Sequence, residues 1–217
     1  MTRPPQVLRI DIVSDVVCPW CIIGYRQLAK ALAASGTPHE IHWHPFELNP
    51  NMPPEGQNLR EHVAEKYGTT PAESEDSRQR MTEIGAGLGF TFRFADDMRM
   101  HNTFKVHQLL HWANQHGHMH ALKQALFAAH FTDRQNLSDP AVLAKIAAGV
   151  GLDEDEALAA LADQRFATEV RSAENDWLSK GITAVPAIIF KQRYLVSGAQ
   201  GADNYQRILE QLAEMED

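Results

Sequence analysis

Residues 7–13 (VLRIDIV) are β-branched and apolar almost throughout, the pattern of a buried strand. Beyond residues 14–17 the period changes. Ile22, Ile23, Leu28, Ala29 and Leu32 recur on one side of a helix, which Ser35-Gly36 ends and Pro38 follows. Residues 40–46 alternate, Ile41 and Trp43 against His42 and His44, as a second strand. Strand, helix, strand at the start of the chain predicts a βαβ unit with parallel strands and a right-handed crossover.

The pattern then changes character. Residues 49–56 (NPNMPPEG) make a proline-rich connection, and from there to about residue 165 the signals are nearly all helical. Asn58 with Glu61 resembles a capping box, and Thr70-Pro71 sets a cap before a proline at the first helical position. That second helix should stop among Gly85, Gly87 and Gly89, and residues 90–94 (FTFRF) form a short alternating segment of extended character. Asn102 or Thr103 caps a helix reaching Gln115 and closed by Gly117; another covers residues 119–131; Ser138-Asp139-Pro140 opens the next, and Asp153 with Glu156 caps one more. The end of the chain is mixed. A helix through Val170, Ala173 and Trp177 ends at Gly181, residues 186–190 and 194–196 make a hairpin, and Asp203 with Gln206 caps a last helix holding Tyr205, Ile208, Leu209 and Leu212. The order is βαβ, a helical block, then α-β-β-α. Residues 1–48 and 166–217 are therefore expected to form one α/β domain, interrupted by a helical insertion over residues 49–165. There is no internal repeat and no low-complexity tract.

Composition narrows the function classes. Apolar residues make up 44% and charged residues 22% of the 217, which excludes a disordered chain. A net charge of −8 with acid and base interleaved offers nothing to nucleic acid. No run approaches the roughly 18 apolar residues of a membrane span. Residues 1–6 (MTRPPQ) lead into a strand that contains Arg9 and Asp11, without the apolar stretch of a secretory signal, so a cytoplasmic protein, monomer or homodimer, is expected. The cysteine count is the most informative number. Cys18 and Cys21 are the only two, too few for a disulfide framework or a four-thiolate zinc site. A redox pair, half of a mixed metal site, or coincidence remain, and a reducing compartment favours a catalytic or metal-binding pair over a static bridge.

The spacing at Cys18-Pro19-Trp20-Cys21 has a physical purpose. With Cys18 as helix N-cap and Pro19 at the first helical position, Cys21 lies one turn in on the same face, and the sulfurs can close a disulfide with little backbone movement. Unpaired N–H groups and the helix dipole favour a thiolate at Cys18, the reactive form. Cys21 feels no such field and stays a thiol, so Cys18 reads as nucleophile and Cys21 as resolving thiol. A zinc half-site and two ordinary buried cysteines are the competing readings. Pro186 stands at the start of a strand, where geometry alone accounts for it. In the redox reading, Val185–Pro186 is a cis bond packed on the disulfide, leaving the backbone of Val185 to pair with an extended substrate. Trp20 then belongs to the substrate-facing surface. Pro19, Trp20, Val185 and Pro186 are thus the substrate-binding candidates. Eleven histidines raise a metal hypothesis. His107 and His111 are four apart on a helix, with His116, His118 and His120 beyond a glycine break, but no HExxH is present and no metal site is assigned. Trp43, Trp112 and Trp177 read as core, and Leu109-Leu110 and Leu126-Phe127 as helix-packing residues. His44 and Glu47, at the end of the second strand, are the candidates for a general base to Cys21, and neither is assigned.

The CPWC after an SDVV lead-in, with GITAVPAIIF and YLVSGAQ near the C-terminus, resembles the DsbA-like thioredoxin superfamily. Within it, HNTFKVHQLLHWA, ALFAAHF and the closing SGAQ are similar to the FrnE-type dithiol–disulfide oxidoreductases/isomerases. The resemblance implies a thioredoxin fold with a mixed four-stranded sheet and a large all-helical insertion between the second strand and the helix preceding the cis-proline. It implies exchange of a disulfide with a protein or small-molecule thiol at a redox-active Cys18–Cys21 pair. No cofactor is expected beyond that disulfide, with glutathione as a candidate co-substrate. Kappa-class glutathione transferases and 2-hydroxychromene-2-carboxylate isomerases share the architecture but typically carry serine at the first cysteine, so a glutathione-dependent isomerase or transferase is the alternative. A non-catalytic binding module with a redox-inert pair is a third reading. Some FrnE-type proteins have a second cysteine pair towards the C-terminus, and this chain has none.

Overall fold

The computed structural model describes residues 7–215, so the lead-in read at residues 1–6 lies outside the described residues. Strand β1 (Leu8–Ser14) passes through helix α1 (Pro19–Ser35) to strand β2 (His39–Pro45). β2 runs parallel to β1, with Ile10 opposite Ile41 and Ile12 opposite Trp43. The chain returns to this sheet after residue 165. Helix α8 (Ala167–Ser179) is followed by the hairpin β5 (Ala187–Phe190) and β6 (Tyr194–Ser197), then helix α9 (Ala202–Glu214). β5 is antiparallel to both β1 and β6, which gives a four-stranded mixed sheet in the order β2-β1-β5-β6. β1 lies inside the sheet and is buried on both faces, which is why its sequence is a nearly continuous apolar run. Ile10 and Ile12 join the large core with α1 and α9, while Val13, Ala187 and Ile189 pack on the opposite face with Phe46 and Ile182.

Between β2 and α8 lie the helices α2 (Leu59–Tyr67), α3 (Pro71–Gly87), α4 (Phe104–Gln115), α5 (Met119–Phe131), α6 (Pro140–Gly149) and α7 (Glu154–Ala162). Their starts follow local rules. Thr70 and Glu73 make a reciprocal capping box with Pro71 at the first helical position. Asn58 accepts from the N–H groups of Arg60 and Glu61, Asp139 from Ala141 and Asp153 from Glu156. One hydrophobic cluster runs from β1 and α1 through α4, α5, α6 and α7, and Leu109, Leu110, Leu126 and Phe127 are fully buried in it. Of the three tryptophans expected in the core, Trp43 and Trp112 are there. Trp177 is half-buried, tilted against His44 with Lys180 above its ring.

Other expectations are corrected. Residues 90–94 form no strand; Phe90, Phe92 and Phe94 cluster with Phe131, so the alternation marks an aromatic cluster rather than a sheet. A two-stranded ribbon, β3 (Gln57–Asn58) with β4 (Arg99–Met100), lies inside the helical block and is too short to show any period. Asp203 does not cap α9. The helix starts two residues earlier, after Gly201 at φ 89°, whose N–H donates to the Gln27 side chain on α1, so a tertiary bond sets the start. At α4 the Phe104 N–H is taken by Asn102, and the Thr103 hydroxyl is used elsewhere.

Candidate active site

Cys18 is the extended N-cap residue of α1, with Pro19 at the first helical position and the Cys21 N–H donating to the Cys18 carbonyl at 3.1 Å. Both cysteines are free and lie 3.4 Å apart. They differ in surroundings: Cys18 keeps 4% of its surface, Cys21 none. The Cys18 thiol donates to the Val185 carbonyl at 3.7 Å, and the Val185–Pro186 peptide bond is cis. Pro186 lies directly on α1 at Gly24, where a Cβ would come within 3.3 Å of Pro186 Cγ. Its carbonyl accepts the Gly198 N–H at the end of β6. The structure thus gathers the sequence candidates: Cys18, Pro19, Trp20 and Val185 line one cavity, with Pro186 packed behind on the helix.

Burial pushes the Cys21 thiol well above the usual range, and the neighbouring Cys18 pushes it further. A hydrogen bond from the Asp15 backbone and the charge of Lys123 oppose this, and neither residue was singled out by the sequence reading. Lys123 of α5 is buried, its ammonium donating to the Ser14 carbonyl at 3.2 Å and lying over the rings of Trp43 and Phe127. Burial lowers its pKa to about 8, against the pull of Asp15 and the two cysteines. Asp15 is fully buried at the end of β1. Burial alone would raise its carboxyl, but its partners hold it below the usual carboxylate value. The Leu48 N–H donates to Oδ2 at 2.8 Å, the Thr103 hydroxyl at 3.0 Å, and His107 Nε2 stands 3.4 Å from Oδ1 with a closer contact to the Phe46 carbonyl at 3.1 Å. A local signal for Asp15 existed, as a charged residue in an apolar stretch three positions before Cys18. For Lys123, on an ordinary helix, there was none.

The base candidates at the end of β2 are committed elsewhere. His44 Nε2 is 2.8 Å from Asp11 Oδ1, and Glu47 pairs with Arg171. The histidines behave likewise: His107 serves Asp15 and Phe46, His111 lies against the Phe166 ring, and His120 contacts Tyr25 and the Trp43 indole N–H. Among the described residues no three His, Cys, Asp or Glu are grouped to hold a metal ion.

The cavity that holds Cys18 measures about 360 Å³ and is walled by α2 and α3, with Leu59, Val63 and Met81 among its apolar residues. Trp20, 37% exposed, and Tyr67, 58% exposed, both line it. A second cavity of about 410 Å³ runs along β2 among His42, His44, His111 and His120, and neither cysteine borders it. Chemically, the first arrangement offers one sulfur facing a cavity, a second sulfur behind it, and the buried ammonium of Lys123 within electrostatic reach of the second.

Residues 9–210 match the model of a family described as the DSBA-like thioredoxin domain. The uncharacterized protein YwbO of Bacillus subtilis is 28% identical over 205 residues, 94% of this chain and 96% of YwbO. The crystal structure of the probable DsbA oxidoreductase SCO1869 from Streptomyces coelicolor superposes with a TM-score of 0.88 at 34% identity, covering 94% of this chain and 89% of that one. The cytosolic disulfide reductase DsbM of Pseudomonas aeruginosa, solved with GSH, gives 0.65 at 15% identity over 95% and 99% of the two chains, a likeness of fold. No helix among the described residues is long and apolar enough to cross a membrane.

Proposed function

We propose that this chain, which belongs to the DSBA-like thioredoxin domain family, is a thiol–disulfide oxidoreductase that exchanges a disulfide with protein or small-molecule thiols through Cys18 and Cys21. The observation that carries the reading is the asymmetry of the pair: two free sulfurs 3.4 Å apart at the start of α1, one bordering a cavity and the other fully buried. Cys18 attacks a substrate disulfide as the thiolate. One substrate sulfur leaves as a thiolate and takes a proton, and a mixed disulfide forms. Cys21, its thiolate favoured by the nearby Lys123 ammonium, then attacks Cys18 Sγ, and its proton goes to the second substrate sulfur, which is released as a thiol. The substrate gains two electrons and the protein holds a Cys18–Cys21 disulfide; the reverse sequence oxidises a dithiol. The direction is set by the reduction potential relative to the surroundings, which varies widely among CxxC proteins. The edge at Val185 and Pro186, with Pro19 and Trp20, is the surface that receives the substrate. A cytoplasmic location accords with the cytosolic DsbM neighbour and with a chain of only two cysteines.

The cavity beside Cys18 also favours a second reading, a glutathione-dependent isomerase or transferase in which glutathione lies at the Val185–Pro186 edge, its thiol does the chemistry on a small apolar substrate held in the cavity, and Cys21 is a bystander. The two readings part on one experiment. The Cys21→Ser chain is mixed with oxidised glutathione or a disulfide-bonded protein, and the wild-type pair is equilibrated against a glutathione series. An accumulating mixed disulfide on Cys18, a reversible Cys18–Cys21 couple and loss of insulin-reducing activity in Cys18→Ser are expected. A pair that does not oxidise, or an active Cys18→Ser, would overturn the oxidoreductase.

A further inference from the structure

Cys18 is the nucleophile of the proposed exchange, yet it is almost buried, and the space it borders is the cavity under α2 and α3. What that cavity offers a ligand can be read from its walls. Its charged side chains and His62 are already committed to protein partners. Arg78 donates to Ser74 Oγ at 2.8 Å and to Glu75. His62 sits between Gln57 at 2.9 Å and Asn49 at 3.0 Å. Glu73 accepts from the Thr70 N–H and hydroxyl, each at 2.8 Å. The remaining contacts come from side chains such as Leu59, Val63, Met81, Phe94 and Phe131, with the exposed rings of Trp20 and Tyr67 at the rim. A charged ligand such as glutathione would have to break these pairs or leave its own charges unpaired, which is costly in a desolvated site. An apolar group gains by burial. At about 360 Å³ the cavity is near the small end of the range for small-molecule sites, room for one ring and its linker rather than for a segment of folded chain.

Resting on the oxidoreductase reading, we infer that the preferred partner of Cys18 is a low-molecular-weight disulfide whose attacked sulfur bears an uncharged apolar or aromatic group, which the α2–α3 cavity receives. The Cys18 thiolate bonds to that sulfur and the S–S bond breaks. The other half leaves as a thiolate and is protonated by water. Cys21 then displaces the apolar thiol, which departs reduced as the Cys18–Cys21 disulfide forms, and two incoming thiols of the surrounding pool, leaving as their own disulfide, return the protein to its dithiol state.

The test uses the reduced Cys21→Ser chain, in which the reaction stops at the mixed disulfide, followed by intact-protein mass. Two small disulfides with the same leaving group are compared: 2-hydroxyethyl disulfide, and the mixed disulfide of 2-mercaptoethanol with 3-phenylpropane-1-thiol. Insulin is the protein disulfide. The phenylpropyl adduct is expected to form about tenfold faster or more than the hydroxyethyl adduct, the scale on which apolar pockets discriminate. Val63→Trp and Met81→Trp, each filling the cavity, should bring that ratio towards one. Because the ratio is internal to each variant, a partly misfolded preparation does not imitate the result. Equal rates for the two small disulfides in Cys21→Ser, a ratio untouched by both tryptophan variants, or insulin outpacing both small disulfides would overturn the inference while leaving the oxidoreductase standing. Reaction with none of the three would overturn the oxidoreductase and this inference with it.

Discussion

The Cys18 thiol and the Val185 carbonyl, 167 positions apart in the chain, are joined by a 3.7 Å hydrogen bond in which the sulfur is the donor. Only the protonated sulfur can make this bond. On ionisation Cys18 becomes an acceptor, and the Val185 carbonyl is released to accept from a substrate N–H instead. In the proposed function, formation of the nucleophile and exposure of the edge assigned to the substrate are thereby coupled through one proton.

Lys123 and Asp15 should govern the second chemical step. Burial has already pushed the Cys21 thiol up, and the Lys123 ammonium works against that. Removing it in Lys123→Met should push the thiol higher still. Release of the second substrate thiol, followed by stopped flow, is expected to slow about tenfold at neutral pH, with its pH profile moved to higher pH. Asp15→Asn should also slow this step, because the carboxylate raises the Lys123 pKa and so helps keep that ammonium charged. Identical pH profiles for Lys123→Met and wild type would remove Lys123 from the step.

Gly24 sets how closely α1 approaches Pro186. A Cβ there meets Pro186 Cγ at 3.3 Å and Ala199 at 3.5 Å. Alanine is expected to be near neutral in urea unfolding, because the gain in helix propensity over glycine, up to about 1 kcal/mol, offsets a slight squeeze. Valine should cost about 1–3 kcal/mol by overpacking and slow mixed-disulfide formation as Pro186 is displaced. A Gly24→Val protein with wild-type stability would show that the contact is loose.

His130 should make the fold acid-sensitive. It is buried on α5 with Nε2 unpaired among the described residues. Burial, helped by His101 and opposed by Asp15, lowers its pKa to about 3. The unfolded chain, with an ordinary histidine near 6.5, binds the extra proton between these values, so stability is present above about pH 6.5 and drains away as the pH falls towards 3. At pH 5 this amounts to about 2 kcal/mol relative to neutral pH. Comparing urea unfolding at pH 7.5 and pH 5, His130→Leu should lose that increment of the pH dependence; an undiminished difference would assign the acid sensitivity to other groups.

The capping box at Thr70 and Glu73 should hold the first turn of α3, whose residues wall the thiol cavity. Thr70→Ala is expected to cost about 1 kcal/mol. Amide exchange should speed up in the first turn of α3 and not in α1.

The elements of the fold were largely legible along the chain because their causes are local. The buried run of β1, the Pro19 and Pro71 helix starts, the Asp139 and Asp153 caps and the turn between β5 and β6 are each written within a few residues. The reading failed where the deciding partner is remote. Gln27 on α1, not Asp203, settles where α9 begins. The FTFRF segment reads only as extended; that its alternation builds an aromatic cluster around Phe131 depends on that remote ring. Trp177 is only half-covered, tilted against His44 of the neighbouring strand.

The same division runs through the site. The sequence by itself determined the chemistry: two cysteines at helix-turn spacing behind a proline that can start a helix, and a second proline at a strand start. Local backbone geometry suffices to put the sulfurs of such a pair on one helix face. Helix position already pointed to Cys18 as the outer sulfur; tertiary structure alone decided what surrounds each of the two. Val185, Lys123 and Asp15 reach the cysteines from different elements, and the cavity exists only where α2 and α3 close over the start of α1. Burial and long-range electrostatics depend on distances in space, and no spacing along the chain encodes those.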